Sequence, residues 1–175
     1  TLTVSAAALT GTNALTWDGS AETNGSFNIT GSSQADTITG GAGADTISSG
    51  TDSDTIILGT NLTSSDTIDG GAGTDELRFT DSGSATSDLD GVTNVETVTL
   101  GDAATSVTTV DALVGNGETL TVSAAALTGT NALTWDGSAE TNGSFNITGS
   151  SQADTITGGT VSYTHLRAHE TDLNL

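Results

Sequence analysis

Residues Gly31–Arg78 read GSSQADTIT (31–39), GGAGADTIS (40–48), SGTDSDTII (49–57), LGTNLTSSDTID (58–69) and GGAGTDELR (70–78). Asp36, Asp45, Asp54 and Asp66 each precede Thr-Ile, and Asp75 precedes Glu-Leu. The aspartates are spaced by 9, 9, 12 and 9 residues. A nine-residue period with glycine turns and one large aliphatic per unit is the pattern of a stacked parallel β-helix. Each turn leads into a very short strand whose middle residue points inward. Ile38, Ile47, Ile56, Ile68 and Leu77 take that inward place, and the outward neighbours are mostly threonine, which suits a strand.

The turns also have a chemistry. Glycine reaches backbone conformations with φ > 0 and brings carbonyl oxygens close together. An aspartate at the end of the turn adds a carboxylate. Calcium takes six to eight hard oxygen ligands in a flexible geometry, and two facing turns of this kind can supply them. The same pattern also suits a solenoid whose turns hold no metal.

The stretch resembles the haemolysin-type calcium-binding repeats, the RTX family, whose nonapeptide is G-G-x-G-x-D-x-U-x with U a large aliphatic. Gly40–Ser48 and Gly70–Arg78 match throughout. Gly31–Thr39 has Ser32 and Gln34 where glycines belong, and Ser49–Ile57 has Ser49 and Asp52. The fourth unit is three residues too long and keeps only Gly59, Asp66 and Ile68. The resemblance implies Ca2+ ligation by Asp36, Gly40, Gly41, Gly43, Asp45, Gly50, Asp52, Asp54, Asp66, Gly70, Gly71, Gly73 and Asp75. Two nonapeptides make one coil in that family. Asp36 then faces Asp54 on one side of the coil, Asp45 faces Asp66 on the other, and Asp54 stacks toward Asp75. The 12-residue unit leaves the register of the last two pairings open.

Composition agrees with a thin rod. The chain has 22 acidic and 2 basic residues, a formal charge of −20, and no Cys, Met or Pro. Leu, Ile, Val and Phe number 35 of 175, the level at which a highly charged chain is expected to be disordered. A solenoid needs less apolar material, because each coil buries only a few inward residues against the next. Divalent cations would relieve the carboxylates' mutual repulsion. The acidity argues against nucleic acid and anionic membranes as partners, and no apolar run approaches a membrane span. Absence of cysteine fits a bacterial extracellular protein without disulfides.

Residues Thr1–Gly41 recur unchanged as Thr119–Gly159, an offset of 118. Short alternating runs, Leu2–Val4, Ala14–Trp17, Phe27–Thr30, Val95–Leu100 and Val107–Val110, read as further strands. The phrase Gly91–Leu100 resembles strands of bacterial surface-layer and large adhesin proteins. The organisation is therefore 1–30 solenoid strands, 31–78 nonapeptide β-roll, 79–118 solenoid strands and 119–159 a second copy. At Thr160 the composition changes. VSYTHLRAHETDLNL holds the only Tyr, both His and one of the two Arg. Residues 161–171 resemble the in-frame translation of a transposase-based sequencing adapter, so 160–175 is read as a non-native tail and set aside.

Without that tail there is no histidine, so no Ser-His-Asp arrangement and no histidine zinc site exists. Lysine is absent, which excludes a phosphate loop with its lysine. Paired carboxylates leave a glycosidase formally open, but in-register aspartates are better explained by calcium. Asp18 and Glu22, with Asp136 and Glu140 in the copy, read as a solvated loop, with an additional calcium site as the alternative. Trp17 and Trp135 read as core or cap, with a carbohydrate-stacking platform as the alternative. The expected fold is all-β, a right-handed parallel β-solenoid with a calcium-binding β-roll block. A 118-residue unit at roughly 18 residues per coil would extend it by on the order of 30 Å. The expected function is non-enzymatic: a calcium-dependent extender of a secreted or cell-surface protein, with neighbouring repeats and an unknown surface or matrix partner as its contacts. The RTX resemblance implies type I secretion and folding on extracellular calcium. The alternative is the calcium-triggered secretion and folding module of an RTX toxin or secreted enzyme.

Overall fold

The computed structural model describes residues 1–81, 83 and 86–160, and beyond them the backbone of Thr164–Leu166 and Leu173–Asn174. In chain order the strands are β1 Leu2–Ser5, β2 Thr16–Asp18, β3 Phe27–Thr30, β4 Thr37–Thr39, β5 Thr46–Ser48, β6 Thr55–Gly59, β7 Thr67–Asp69, β8 Glu76–Phe79 and β9 Val92–Thr93. They continue as β10 Thr97–Leu100, β11 Thr105–Thr108, β12 Thr119–Ser123, β13 Leu133–Asp136, β14 Ser144–Thr148, β15 Thr155–Thr157, β16 Thr164–Leu166 and β17 Leu173–Asn174. No helix occurs among the described residues. Every strand pair is parallel and joins strands two apart in the chain, which winds the backbone into a β-solenoid of about seven coils.

Even-numbered strands from β2 to β16 make one continuous sheet. Odd-numbered strands make two, β1 to β9 and β11 to β17. Inward side chains stack in register along each face. On the even face the column is Trp17, Ile38, Ile56, Leu77, Val98, Val122 and Ile147. On the odd face Val4, Ile29, Ile47, Ile68 and Val92 stack, followed after the break by Val107, Trp135 and Ile156. Ile38, Ile47, Ile56, Ile68 and Leu77 are buried as the nonapeptide pattern requires. Each such burial is worth about 1.5–3 kcal/mol, which lets coils with so few apolar residues hold together.

The 12-residue unit opens on a register shift between Ile57 and Gly59, where β6 pairs with β8, and the stack resumes beyond it. Strand β6 runs to five residues against three in β4, β5 and β7, Leu58 and Leu62 turn inward, and Ile47 still pairs with Ile68. The Val107–Val110 run lies two residues later than the strand that forms, β11, because Thr105 and Val107 are the inward pair.

The two identical copies sit in different surroundings. Leu2 is 52% exposed, whereas Leu120 is fully buried under β10. Trp17 is half-buried and Trp135 fully buried, each edge-on to a phenylalanine (Phe27, Phe145) with ring centroids 5.6 Å apart. Both tryptophans are thus core or cap residues. Because β12 follows β1 by eleven strands, the first copy opens on the odd face and the second on the even face.

The reading of 160–175 as foreign falls, for residues 161–163, 167–172 and 175, outside the described residues. The backbone of β16 pairs with β14 and that of β17 with β15, so the ladders extend past Gly159. Ladder bonds are main-chain bonds and do not depend on the nonapeptide pattern.

Candidate metal centre

The turns of the nonapeptide block fall on the two edges where the chain passes between faces. Segments 31–36, 49–54 and 70–75 connect odd to even strands on one edge, and 40–45 and 60–66 connect even to odd strands on the other. Each aspartate closes its turn and reaches back to the previous coil. On the first edge the Leu15 N–H donates to Asp36 Oδ1 (2.6 Å), that of Asp36 to Asp54 Oδ1 (2.7 Å) and that of Asp54 to Asp75 Oδ1 (2.8 Å). The Asp75 N–H continues the series to Glu96 Oε2 (2.8 Å). On the second edge Phe27 donates to Asp45 Oδ1 (2.8 Å) and Asp45 to Asp66 Oδ1 (2.7 Å). In the second copy Leu133 donates to Asp154 Oδ1 (2.8 Å). The stackings Asp36–Asp54, Asp45–Asp66 and Asp54–Asp75 all form, and the three extra residues of the long unit leave their register intact.

The second carboxylate oxygen separates the turns into two kinds. Asp45 Oδ2 accepts from its own turn at Gly41 N (2.9 Å), Asp154 Oδ2 from Ser150 N (2.8 Å), and Asp66 Oδ2 from Thr63 N (2.8 Å). Asp36 Oδ2 accepts from Ser32 N (2.5 Å), and Ser32 Oγ donates to its Oδ1. Each oxygen of these carboxylates has at least one protein donor. Asp54 Oδ2 and Asp75 Oδ2 are buried without a hydrogen-bond partner, and the nearby Ser49 hydroxyl gives its hydrogen to Gly70 O (2.7 Å) rather than to Asp54. The residues that would cap them, Gly50 and Gly71, have φ of +117° and +88°, and the Gly71 N–H turns instead to Asp69 Oδ1 (3.1 Å).

An unpaired buried carboxylate oxygen is costly in a fold stabilised by so little apolar surface. Burial raises the pKa of three of the nonapeptide aspartates, with or without a bare oxygen. Burial, partly offset by the Asp36 N–H, raises the pKa of Asp54. Burial, with the like charges of Asp54 and Glu96 alongside, pushes Asp75 up to about 6. Asp66 is also raised by burial.

The glycines of the motif permit close stacking. A Cβ on Gly71 would lie 2.1 Å from Gly50 O, and one on Gly73 2.0 Å from Asp52 O. Gly70 approaches Asn94 O, and Gly43 approaches Gly25 O, equally closely. Gly40 has the side chains of Asp45 and Leu58 within 2.8 Å of where its Cβ would be. The approaches of Gly70, Gly71 and Gly73 line the first edge with backbone carbonyl oxygens. Asp52 is exposed, with φ +78°, and its carboxylate accepts from Ser53 N (3.0 Å). No three acidic, histidine or cysteine side chains converge as ligands among the described residues. A cation on this edge therefore draws on paired carboxylates plus carbonyl, hydroxyl or water oxygens, the donor set that calcium accepts. Two unpartnered buried carboxylate oxygens on stacked turns fit such an ion.

Asp18 and Glu22 form local turns, Asp18 capping Ser20 N (3.0 Å) and Glu22 Oε1 accepting from the N–H groups of Thr23, Asn24 and Gly25. In the second copy Glu140, expected in a solvated loop, is instead fully buried with Oε2 unpartnered, because the coil there is covered on both sides. Three further carboxylates that the nonapeptide reading passes over are placed by the structure. Asp81 and Asp88 are buried beyond β8, and Glu96 joins the first-edge series. The signal for Glu96 was a 21-residue step from Asp75, the step also taken from Asp54 to Asp75, and a following Thr-Val in place of Thr-Ile.

A family model described as the RTX calcium-binding nonapeptide repeat (4 copies) matches residues 28–57, 63–79 and 146–160. No curated protein and no solved structure is detectably similar to the chain.

Proposed function

We propose, from a chain that carries RTX calcium-binding nonapeptide repeats, that it is a calcium-folded stalk segment of a secreted or cell-surface protein. The observation that carries this reading is the pair of unpartnered buried oxygens, Asp54 Oδ2 and Asp75 Oδ2, on consecutive turns of one edge. Asp54 and Asp75, with carbonyl oxygens of segments 49–54 and 70–75, would hold the ion. Bound calcium supplies the positive charge that these carboxylates lack. The chain's own residues do the rest: the glycines let the turns approach, the inward aliphatics fix their register, and the N–H ladder orients each carboxylate.

A formal charge of −20 with few apolar residues supports coupling between ion and fold. Ion binding to the folded state alone adds stability in proportion to the logarithm of calcium concentration, about 1.4 kcal/mol per site for each tenfold rise above Kd. Extracellular modules of this kind bind at roughly 10⁻⁴–10⁻³ M. A narrow rod built by adding coils lengthens without needing a larger core, which suits an extender. The test is circular dichroism of the full chain. In chelator it should be largely disordered, and millimolar calcium should raise the β signal with saturable heat in calorimetry. A β spectrum indifferent to calcium refutes the proposal.

A further inference from the structure

We propose that Glu96, outside every nonapeptide match, is a further carboxylate ligand for a divalent cation shared with Asp75, extending the metal edge one coil further. This rests on the reading that the first edge binds calcium. Glu96 occupies the place of an aspartate in the ladder. It immediately precedes β10, whose Thr97 pairs with Glu76 and Val98 with Leu77, just as Asp75 immediately precedes β8. Its Oε2 accepts the Asp75 N–H at 2.8 Å, the bond that Asp75 makes to Asp54 and Asp54 to Asp36.

The turn before it imitates a glycine turn without glycine at the critical place. Asn94 has φ +52°, a conformation that asparagine tolerates better than most residues. Its side chain anchors that geometry by donating to Asp69 Oδ1 (2.7 Å). Its carbonyl oxygen lies where a Cβ on Gly70 would be only 2.0 Å away, so the two turns stack as closely as Gly71 on Gly50. One of the two bare oxygens on which the parent reading rests belongs to the residue that Glu96 touches. Asp75, fully buried beside Glu96, keeps Oδ2 without a partner. An ion between the two coils would satisfy that oxygen and separate two like charges.

The test counts calcium bound per full-length chain by equilibrium dialysis and follows the midpoint by calorimetry. Glu96→Gln keeps an acceptor for the Asp75 N–H and removes the charge. It should lose one calcium per chain, while Glu96→Asp, which restores the carboxylate, and Glu118→Gln, an exposed control, should keep the full count. An unchanged count and midpoint in Glu96→Gln, with calcium still bound by the wild type, overturns the role of Glu96 and leaves the parent reading intact. No calcium bound by the wild type overturns both. If Glu96→Gln does not fold, the wild-type chain labelled with ¹³C at its glutamate carboxyls decides. A calcium-induced shift of a glutamate carboxylate band that disappears in Glu96→Asp supports the assignment, and a set of shifts unchanged in that variant overturns it.

Discussion

The turns Gly40–Asp45 and Gly70–Asp75 differ at one position, Ala44 against Thr74, yet their carboxylates are in opposite states. Asp45 is held at both oxygens by N–H groups of Phe27 and Gly41, whereas Asp75 has one oxygen bonded to Asp54 N and one bare. The difference comes from the coil beneath. Gly71 lies directly over Gly50 O, with φ +88°, and its N–H is turned away from Asp75. Gly41 lies over the non-repeat loop that holds Glu22, at a looser 3.1 Å, and its N–H stays on Asp45. In a solenoid a motif's state is set by its neighbours as much as by its own residues. Gly50, which leaves Asp54 Oδ2 bare, likewise lies 2.1 Å over a carbonyl, that of Ser32, so the close approach and the positive φ go with the bare oxygen.

The contrast can be broken most sharply with charge. Asp75→Asn should raise the calcium midpoint for folding about tenfold or more, the equivalent of roughly 1.4 kcal/mol. Asp45→Asn should lower the urea midpoint by a similar amount at every calcium concentration that supports folding, because it weakens charge-assisted bonds worth about 1.5–3 kcal/mol and no ion. If the two variants respond alike to calcium, the division between fully bonded and bare carboxylates is wrong.

Backbone changes sharpen the same point with a somewhat smaller effect. Gly71→Ala forces a side chain into left-handed backbone, about 1–2 kcal/mol, in addition to its clash with Gly50 O. A Cβ on Gly41 would lie 3.1 Å from Glu22 and Phe27 atoms, which need give only a few tenths of an ångström, and φ there is not positive. Thermal unfolding in calcium should rank Gly71→Ala clearly below Gly41→Ala.

The smallest expected effect is with pH. Asp75 ionises near 6 in the ion-free fold and near 3.8 when unfolded. The folded state therefore holds more protons between those values. Its contribution is fully present below about 3.8 and is lost as pH rises through about 6. In chelator the β signal should grow as pH falls from 7 to 4.5, and Asp75→Asn should flatten that rise. A signal that instead falls on acidification would show that Asp75 is not the group left bare.

The nonapeptide period made the coil, the inward Ile column and the facing aspartates legible in the sequence, because strand period and stacking register repeat with the motif. The state of each carboxylate was not legible. It depends on the φ of Gly50 and Gly71, which the same letter at Gly41 does not share. Glu96 was hidden because the motif specifies aspartate after glycine, and Asn94 and Glu96 meet the same backbone requirement with different residues. Trp17 and Trp135 show the remaining limit. Identical in sequence context, they differ in burial because only the second copy is covered by β10 and β11.

The eleven-strand separation of the copies also carries a symmetry. Eleven is odd, so an identical sequence begins on opposite faces, and its edges exchange sides. A chain repeating at this spacing would obey a two-fold screw: half a revolution per unit, with a rise of roughly 26 Å at about 4.8 Å per coil. Its ion-bearing edges would then point alternately left and right along the fibre. Anything lying flat against one side would meet every second unit, at intervals of roughly 53 Å on the same spacing.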